Sequence, residues 1–372
     1  MDPYDSLPAR SFWRSAVAEA DPTRVAGLWT PAFSLGQDDT IVTAGSCFAG
    51  HLGPALSTEG LRWYDAEPAP PGLTEEERRD RHYGRFSFRT GDISTAGALR
   101  QWLTWALSDE MSREERTEEH TEPAEVWSEG GRHYDPFRPA VEPGGYATPD
   151  AVRDARRTTL AAIRDGVARA SCLILTLGTT EAWRDRATGF TYPVCPGTVR
   201  GTFDAGRHVF HNATLTEVHR DLSVTVALAR RVNPGLRVLL TVSPVPLTAT
   251  ATGGHVLAAN TCSKSVLRAV AGQLAQELDH VDYFPSYEIV TGFPFGGTFF
   301  EPDLRSVTPG GMALMTRHFL AGLGLPAGLR PEPRTTAVPS PPVPVRSATR
   351  EEFRCDDAVL DYYHRSPVPP AR

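Results

Sequence analysis

The chain has 372 residues, a formal net charge of −7 and 40% hydrophobic residues. This length and hydrophobic content allow a large core, in one elaborated domain or in two smaller ones. The acidic balance, without a dense cluster of lysine and arginine, argues against nucleic acid as a partner.

The cysteines argue against a zinc site and against a disulfide framework. Their number is odd, and they show neither C-x-x-C spacing nor a nearby pair of histidines. They are Cys47, Cys172, Cys195, Cys262 and Cys355. The first residues lack a signal-peptide pattern, and no stretch approaches the roughly 18 apolar residues of a spanning helix. We therefore expect a cytoplasmic protein with no membrane span, and no motif implies a metal or an organic cofactor.

Four short apolar runs predict strands that are buried on both faces of a parallel sheet. They occupy residues 41–44, 172–177, 238–242 and, more weakly, 281–284. Between them, apolar residues recur at spacings of three and four, which is typical of helices packed on a core. These stripes are Leu160, Ile163 and Val167, then Leu215, Val218, Leu222 and Val226, then Val266, Val270, Leu274 and Leu278. The alternation predicts a doubly wound α/β sheet.

Local signals refine this organisation. Thr214 with Glu217 predicts a capping box at the start of one helix, and Asn233-Pro234-Gly235 predicts its end. Residues 108–147 combine a charged run with turn-forming residues and predict a helical insertion or lid plus loops, which we expect to cover a pocket. Residues 1–324 are interpreted as one catalytic domain, and residues 325–372 as a proline-rich tail.

The strongest chemical signal is Ser46. It directly follows the first predicted strand, Gly45 permits a tight turn, and Phe48, Leu52 and Leu56 form one face of a following helix. A serine at such a turn presents its hydroxyl at the carboxyl edge of the sheet, where its own N–H and the helix N-terminus can stabilise an oxyanion. The alternative interpretation is that Ser46 only caps the helix.

Cys47 is the competing nucleophile, because a thiolate at a helix N-terminus has a depressed pKa. Adjacent residues on a turn diverge, so we expect only one of the two side chains to face a pocket. We favour the serine and interpret Cys47 as a small buried hydrophobic residue.

The run Gly45-Ser46-Cys47-Phe48-Ala49 spells the motif of the GSCFA family, which resembles the SGNH (GDSL-type) hydrolases. Further blocks resembling that family lie at residues 177–183, 192–197, 241–247, 263–268 and 282–288. The resemblance implies a flavodoxin-like three-layer α/β/α sheet, with Ser46 as nucleophile, a histidine base and donors for a tetrahedral oxyanion.

The resemblance also assigns the oxyanion donors. Gly178-Thr179-Thr180-Glu181 matches the G-x-N-D block, so Gly178 lies in it and Thr180 stands where asparagine is expected. A hydroxyl donates one hydrogen bond where an amide donates two, which predicts weaker oxyanion binding. Gly84 is a candidate for the glycine loop, and a plain turn is an equal alternative.

The expected Asp-x-x-His block reads Asp303-Leu304-Arg305-Ser306, and serine cannot act as the base. His255, in a loop after the third predicted strand, is then the candidate base, or else a surface histidine bonded to its own backbone. Glu181 and Asp303 are candidate carboxylates to orient it. Their alternatives are a buried ion pair with an arginine for Glu181, and an ion pair or a helix cap for Asp303.

Other residues are candidates for substrate contacts. Lys264, at the predicted start of a helix, is a candidate to bind an anionic group. The alternative is that the hydroxyls of its neighbours Ser263 and Ser265 only cap the helix. Aromatic residues could wall a pocket for a sugar or an acyl chain, or belong to the core: they are Trp183, Trp127, Tyr134 and the run 135–139.

These features predict an enzyme that forms an acyl-enzyme on Ser46. The expected substrate is an ester or thioester of a sugar or natural product, with a carrier-protein-bound acyl donor as one option, and both hydrolysis and transfer remain open. The alternative is a non-catalytic protein that binds a glycan or a partner on a degenerate SGNH scaffold, because Thr180 and Ser306 replace expected catalytic residues.

Overall fold

The structure is a computed structural model that describes residues 2–21, 25–108 and 121–325. Its strands are β1 (Ile41–Gly45), β2 (Trp127–Glu129), β3 (Arg132–Tyr134), β4 (Cys172–Leu177), β5 (Glu181–Asp185), β6 (Thr191–Tyr192), β7 (His208–Asn212), β8 (Arg237–Val242) and β9 (Val281–Phe284). Its α-helices are α1 (Ala49–Thr58), α2 (Glu75–Asp80), α3 (Ala96–Leu107), α4 (Pro149–Arg169), α5 (Leu215–Val232), α6 (Val256–Glu277), α7 (Ser286–Thr291) and α8 (Pro309–Gly322).

The central sheet contains four parallel strands in the order β1-β4-β8-β9. All four predicted strands are present, which confirms the parallel sheet. Alternate residues point to opposite faces of each strand. Val42 and Ala44 therefore join a core cluster that includes residues of α3, α4, α5 and α6. Ile41 joins a second cluster with residues of α1, α7 and α8. The fold is thus a three-layer α/β/α arrangement.

The N-terminus of α5 has the predicted capping box. Thr214 accepts a hydrogen bond from the backbone of Glu217, and the Glu217 side chain accepts one from the backbone of Thr214, which confirms the capping box. The prediction that Lys264 lies at the start of a helix is wrong. Helix α6 begins eight residues earlier, with His255 as its N-cap, because its first two turns are helical without an apolar stripe.

The predicted insertion contains a hairpin. Within its described part, residues 121–147, β2 pairs antiparallel with β3, and the acidic run at 109–120 lies outside the described residues. A buried ion-pair cluster fixes this region to α4: the carboxylate of Asp135 pairs with Arg138 at 2.9 Å and with Arg156 at 2.8 Å. Of the predicted tail, the structure describes only Leu325.

A small antiparallel sheet, in the order β6-β5-β7, follows the carboxyl end of β4. Because side chains alternate along a strand, Trp183 and Arg184 of β5 face opposite sides of this sheet. The two sides border two different cavities.

Candidate active site

Ser46 lies on a tight turn between β1 and α1. Gly45 has φ +132°, and a Cβ atom on it would lie 2.3 Å from the carbonyl oxygen of Thr176, so only glycine fits there. The Ser46 side chain is 2% exposed, and its Oγ has no hydrogen-bond partner among the residues the structure describes. Burying a hydroxyl without a hydrogen-bond partner costs free energy of folding. Such a group therefore calls for an explanation, and a ligand that bonds the hydroxyl would supply one.

The Ser46 side chain borders a cavity of about 220 Å³. The cavity lies where the central strands end, since Gly178 follows β4 and Ser243 follows β8, and both line it with Ser46. Ligand sites of open parallel sheets lie at this edge. A Cβ atom on Gly178 would lie 3.0 Å from the Cβ of Ser46 and 2.9 Å from that of Ser94, so the bare glycine backbone allows this close packing.

The segment before α3 brings the carboxylate of Asp92 to the cavity that Ser46 borders. The N–H of Ile93 donates to the carbonyl of Gly45 at 2.7 Å, which aligns Asp92 with the turn that carries Ser46. Both carboxylate oxygens of Asp92 accept hydrogen bonds from Nη2 of Arg85, at 3.1 and 3.2 Å. Burial raises the pKa of Asp92, against the opposing charges of Arg85, His51 and Arg305.

His82 is the histidine that lines the cavity. Its φ is 57°, in the left-handed region that non-glycine residues rarely adopt, and its Nδ1 is buried without a partner in the described part of the chain. Burial and the charges of Arg85 and Arg89 lower the pKa of His82 to about 3. The imidazole is therefore neutral at physiological pH.

Arg305 lines the cavity at the position of the expected Asp-x-x-His block. It follows Leu304, which has φ 53°. The Asp303 carboxylate accepts hydrogen bonds from the backbone of Arg305 and Ser306, both at 2.9 Å, and from the Ser306 hydroxyl at 2.7 Å. The Asp303 carboxylate therefore stabilises its own turn. It does not line the cavity, and residues 303–306 contain no histidine that it could orient.

The structure does not bring His255 to the cavity. His255 is exposed, and its Nδ1 accepts a hydrogen bond from the N–H of Leu257 at 3.1 Å as the N-cap of α6. This placement matches the alternative interpretation, a surface histidine bonded to nearby backbone. Glu181 does line the cavity, but its carboxylate accepts from the Thr250 hydroxyl at 2.8 Å and links β5 to the loop after β8.

The expected oxyanion donors are engaged within the protein. The Thr180 hydroxyl donates to Oδ1 of Asn212 at 2.6 Å, and Thr180 does not line the cavity. The N–H of Ser46 donates to Thr176 at 2.9 Å. The N–H groups of Gly178 and Thr179 both donate to the carbonyl of Ser94, at 2.8 and 3.0 Å. In place of Thr180, it is Thr179 that lines the cavity.

Three further predicted contacts have mixed outcomes. Lys264 is 1% exposed and its Nζ donates to the carbonyl of Gly178 at 2.6 Å, so it supports the Gly178 loop from within the core and does not line the cavity. Gly84 has φ +68° with open space around it and does not line the cavity, which matches the plain-turn alternative. Trp183 lines the cavity and packs edge-to-face on Phe210.

Cys47 lines the cavity together with Ser46. The expectation that only one of these neighbours faces a pocket is therefore wrong. The cavity is broad enough to border both, with Cys47 half-buried and packed beside the α1 side of the core.

Sequence reasoning missed His82, Asp92 and Arg305 as cavity residues. The loop that carries His82 and Asp92 follows a path set by contacts distant in sequence, and nothing local marks Arg305 as a cavity residue. The available signal was Asp92, a carboxylate three residues before Thr95, the N-cap of α3.

The fold and the site together define a three-layer α/β protein with a buried serine at the carboxyl edge of a parallel sheet, whose hydroxyl has no hydrogen-bond partner among the described residues. The chain belongs to the GSCFA family, whose model matches residues 40–319. No curated protein and no solved structure matches the chain. None of the helices in the described ranges is long and apolar enough to cross a membrane.

Proposed function

We propose that this protein is a serine-dependent acyl hydrolase or acyltransferase that forms an acyl-enzyme on Ser46. The observation that carries the proposal is the buried Ser46 hydroxyl, which has no partner in the described ranges and borders a cavity at the carboxyl edge of the sheet. The Gly45 turn holds this hydroxyl in place without any hydrogen bond that a substrate must first displace.

We assign the role of general base to His82. Its Nδ1 is buried and unpartnered in the described ranges, whereas both oxygens of Asp92 are engaged by Arg85. Oγ of Ser46 and Nδ1 of His82 both lack a hydrogen-bond partner in the described ranges, so the two atoms are not bonded to each other. With a pKa of about 3 the imidazole is neutral but a weak base. In our proposal it takes the proton of Ser46, directly or through one water, as Oγ attacks the acyl carbon and the negative charge that develops on the oxyanion raises the pKa of the imidazole. The proton then passes to the leaving oxygen or sulfur as the tetrahedral intermediate collapses, which leaves the acyl group on Ser46.

Arg305 takes the place of the missing backbone donors in this mechanism. Arg305 lines the same cavity, and its Nε donates to the carbonyl of Pro246 at 3.3 Å, so the oxyanion would be bound by its Nη groups. A charged donor stabilises a developing oxyanion more strongly than a neutral one. The hydroxyl of Thr179 lies in the same wall and can supply a second hydrogen bond. Water, or an acceptor hydroxyl or amine, then attacks the acyl-enzyme and completes hydrolysis or transfer.

The cavity favours a short acyl group. Its volume of about 220 Å³ is below the roughly 300 Å³ at which pockets for drug-sized ligands begin. Trp183, Val194 and Leu247 supply apolar walls beside the polar groups. An O-acyl group of a sugar or natural product, or a thioester on a carrier protein, fits this mixture with the remainder of the substrate outside the cavity.

One observation favours a second function. The N–H groups of Ser46, Gly178 and Thr179 are all bonded within the protein, so these three cannot form the backbone oxyanion hole expected of an SGNH-type enzyme. A protein that binds a glycan or a partner in the cavity, without chemistry, is consistent with this arrangement.

Fluorophosphonate labelling followed by intact-mass analysis distinguishes the two functions. We expect one adduct on the wild type, none on Ser46→Ala, and strongly slowed labelling of His82→Asn, because asparagine tolerates the left-handed conformation at position 82 but cannot accept the proton. Cys47→Ala and His255→Gln are the controls and should label normally. An unlabelled wild type would favour the binding function, and loss of labelling in Cys47→Ala would move the nucleophile to the thiol.

A further inference from the structure

A second cavity, of about 190 Å³, lies on the other side of the small sheet. Trp183 borders the Ser46 cavity, whereas the next residue, Arg184, borders this second cavity. Helix α3 contributes Arg100 and Thr104 to its walls, and Arg220 of α5 lies at its exposed edge. The two cavities therefore share β5 but no lining residue.

The second cavity concentrates positive charge. Asp221 is shared by two guanidinium groups, with Arg100 at 3.1 Å and Arg220 at 3.0 Å. Within the described ranges, the ion pair of Arg184 is a distant one, with Glu217 at 4.0 Å, and Nε2 of His211 lies 3.1 Å from the same carboxylate. Among the described residues, three arginines thus face two carboxylates at this cavity.

Two polar groups at this cavity are unsatisfied. The Nε of Arg184 and the hydroxyl of Thr104 are buried without hydrogen-bond partners in the described part of the chain. Thr104 is only 2% exposed, although a helical threonine can usually bond a carbonyl of the preceding turn. Burial, together with the like charges of Arg100 and Arg220, lowers the pKa of Arg184. An anion would satisfy these donors and offset the repulsion.

Gly97 forms part of the cavity wall. A Cβ atom on Gly97 would lie 3.5 Å from Nη2 of Arg184, 3.8 Å from the Thr191 hydroxyl oxygen and 3.3 Å from Oδ2 of Asp221, which is a tight contact. The guanidinium of Arg184 favours an anion beside this bare backbone position, whereas the carboxylate of Asp221 opposes it. The volume suits one small anion and is too small for a nucleotide-sized ligand.

We propose that this second cavity binds a phosphate group, either as free phosphate or as the end of a phosphate monoester. Guanidinium groups match phosphate oxygens with two parallel hydrogen bonds, and the Thr104 hydroxyl adds a neutral donor. The proposal is independent of the acyl chemistry at Ser46, because it rests on other residues.

Titration calorimetry of the full chain with inorganic phosphate tests the proposal, at constant ionic strength maintained with chloride because salt screens such contacts. We expect saturable binding by the wild type. Arg184→Gln should raise Kd by at least about ten-fold, and Thr104→Val, which preserves side-chain volume, by about three-fold, since these changes remove one charged and one neutral hydrogen bond. Arg157→Gln, at an exposed arginine of α4, is the control and should bind as the wild type does.

Absence of saturable binding at millimolar phosphate would overturn the proposal, and so would equal affinity of wild type, Arg184→Gln and Thr104→Val. Should Arg184→Gln fail to fold, Thr104→Val decides alone. A parallel titration with glycerol phosphate separates the two sources of the ligand: tighter binding than inorganic phosphate identifies a monoester, and weaker binding identifies free phosphate.

Discussion

Among the loops that line the Ser46 cavity, two are held in different ways. The loop that carries His82 and Asp92 is bonded to the central sheet, through Ile93 to Gly45 and through Ser87 to Thr43. The loop at 303–306 is held by the Asp303 carboxylate within its own turn.

Both loops contain a non-glycine residue in the left-handed region, His82 at φ 57° and Leu304 at φ 53°. Such conformations cost about 1–3 kcal/mol each and persist where surrounding contacts enforce them. The sheet edge supplies the serine, whereas strained loops supply the charged groups around it. Ser306 stands where an SGNH-type enzyme is expected to place its histidine. The neighbouring Arg305 lines the cavity, and the histidine that lines it, His82, lies on the other loop.

The largest expected effect is on kcat/KM, when the charge of Arg305 in the loop at 303–306 is removed. Arg305→Gln should lower kcat/KM by about 10²–10³-fold, the usual loss when one oxyanion donor is removed. Arg305→Lys should retain part of the rate, because it keeps the charge without the planar fork. Esterase kinetics on an activated ester measure both. An unchanged kcat in Arg305→Gln would assign the oxyanion to another group and leave Arg305 as a structural residue.

Removing the ion pair in the loop that carries His82 and Asp92 should lower the free energy of unfolding. Arg85→Met leaves the largely buried Asp92 carboxylate without its two hydrogen bonds, and removing one partner of such a pair costs about 3 kcal/mol. Chemical denaturation measures this loss. Arg169→Met is the matched control, because its ion pair with Asp165 lies at the surface, and there we expect a loss of at most about 1 kcal/mol. Equal losses in the two variants would show that the first loop does not depend on its ion pair.

The pH dependence of activity tests the assignment of His82. Because the pKa of His82 is lowered to about 3, the imidazole stays deprotonated at neutral and mildly acidic pH. The value of kcat/KM should therefore show no acid limb near 6.5, where an ordinary histidine titrates, and should be level from about pH 8 to about pH 5. An acid limb near pH 6.5 would point to a solvent-exposed histidine as the base.

The lowered pKa of His82 makes the stability of the folded protein depend on pH, although activity should not depend on pH in the same range. As the pH falls below 6.5, the unfolded chain takes up a proton at position 82, while the folded protein does not do so until about pH 3. The free energy of unfolding therefore decreases across that window. His82→Asn should lose this part of the acid sensitivity, which denaturation at two pH values can measure.

Local sequence patterns were sufficient to predict the four strands of the central sheet and the turn that carries Ser46. The strands are apolar runs that need no distant information, and Gly45 is the residue that the turn before Ser46 requires. The start of α6 could not be read in the same way, because its first two turns have no apolar stripe and hold polar residues such as Asn260.

The identity of the cavity histidine depends on contacts far apart in the chain. His255 follows a strand of the sheet, yet it caps α6, whereas His82 is brought to the cavity by a loop that bonds to β1. Lys264 illustrates the same limit. It is the chain's only lysine, and its burial beneath Gly178 could not be inferred from a helical stripe that begins two residues later.

The smallest expected effect is a change in the free energy of unfolding when glycine replaces Leu304, compared with the same replacement at an exposed leucine in a helix. Leu304 is 70% exposed, so Leu304→Gly loses little packing. Glycine relieves about 1–2 kcal/mol of left-handed strain and loses about 0.5–1 kcal/mol through backbone entropy, so the variant should be more stable by about 0.5–1 kcal/mol.

Leu257→Gly, at a 67% exposed position in the first turn of α6, should instead lose about 1 kcal/mol, because its backbone is helical and carries no such strain. Opposite signs in the two glycine variants, measured by denaturant unfolding, would establish that the second loop stores strain beside Arg305. If both variants are destabilised, Leu304 is not strained, and Arg305 is positioned by the Asp303 turn and by the hydrogen bond from its Nε to the carbonyl of Pro246.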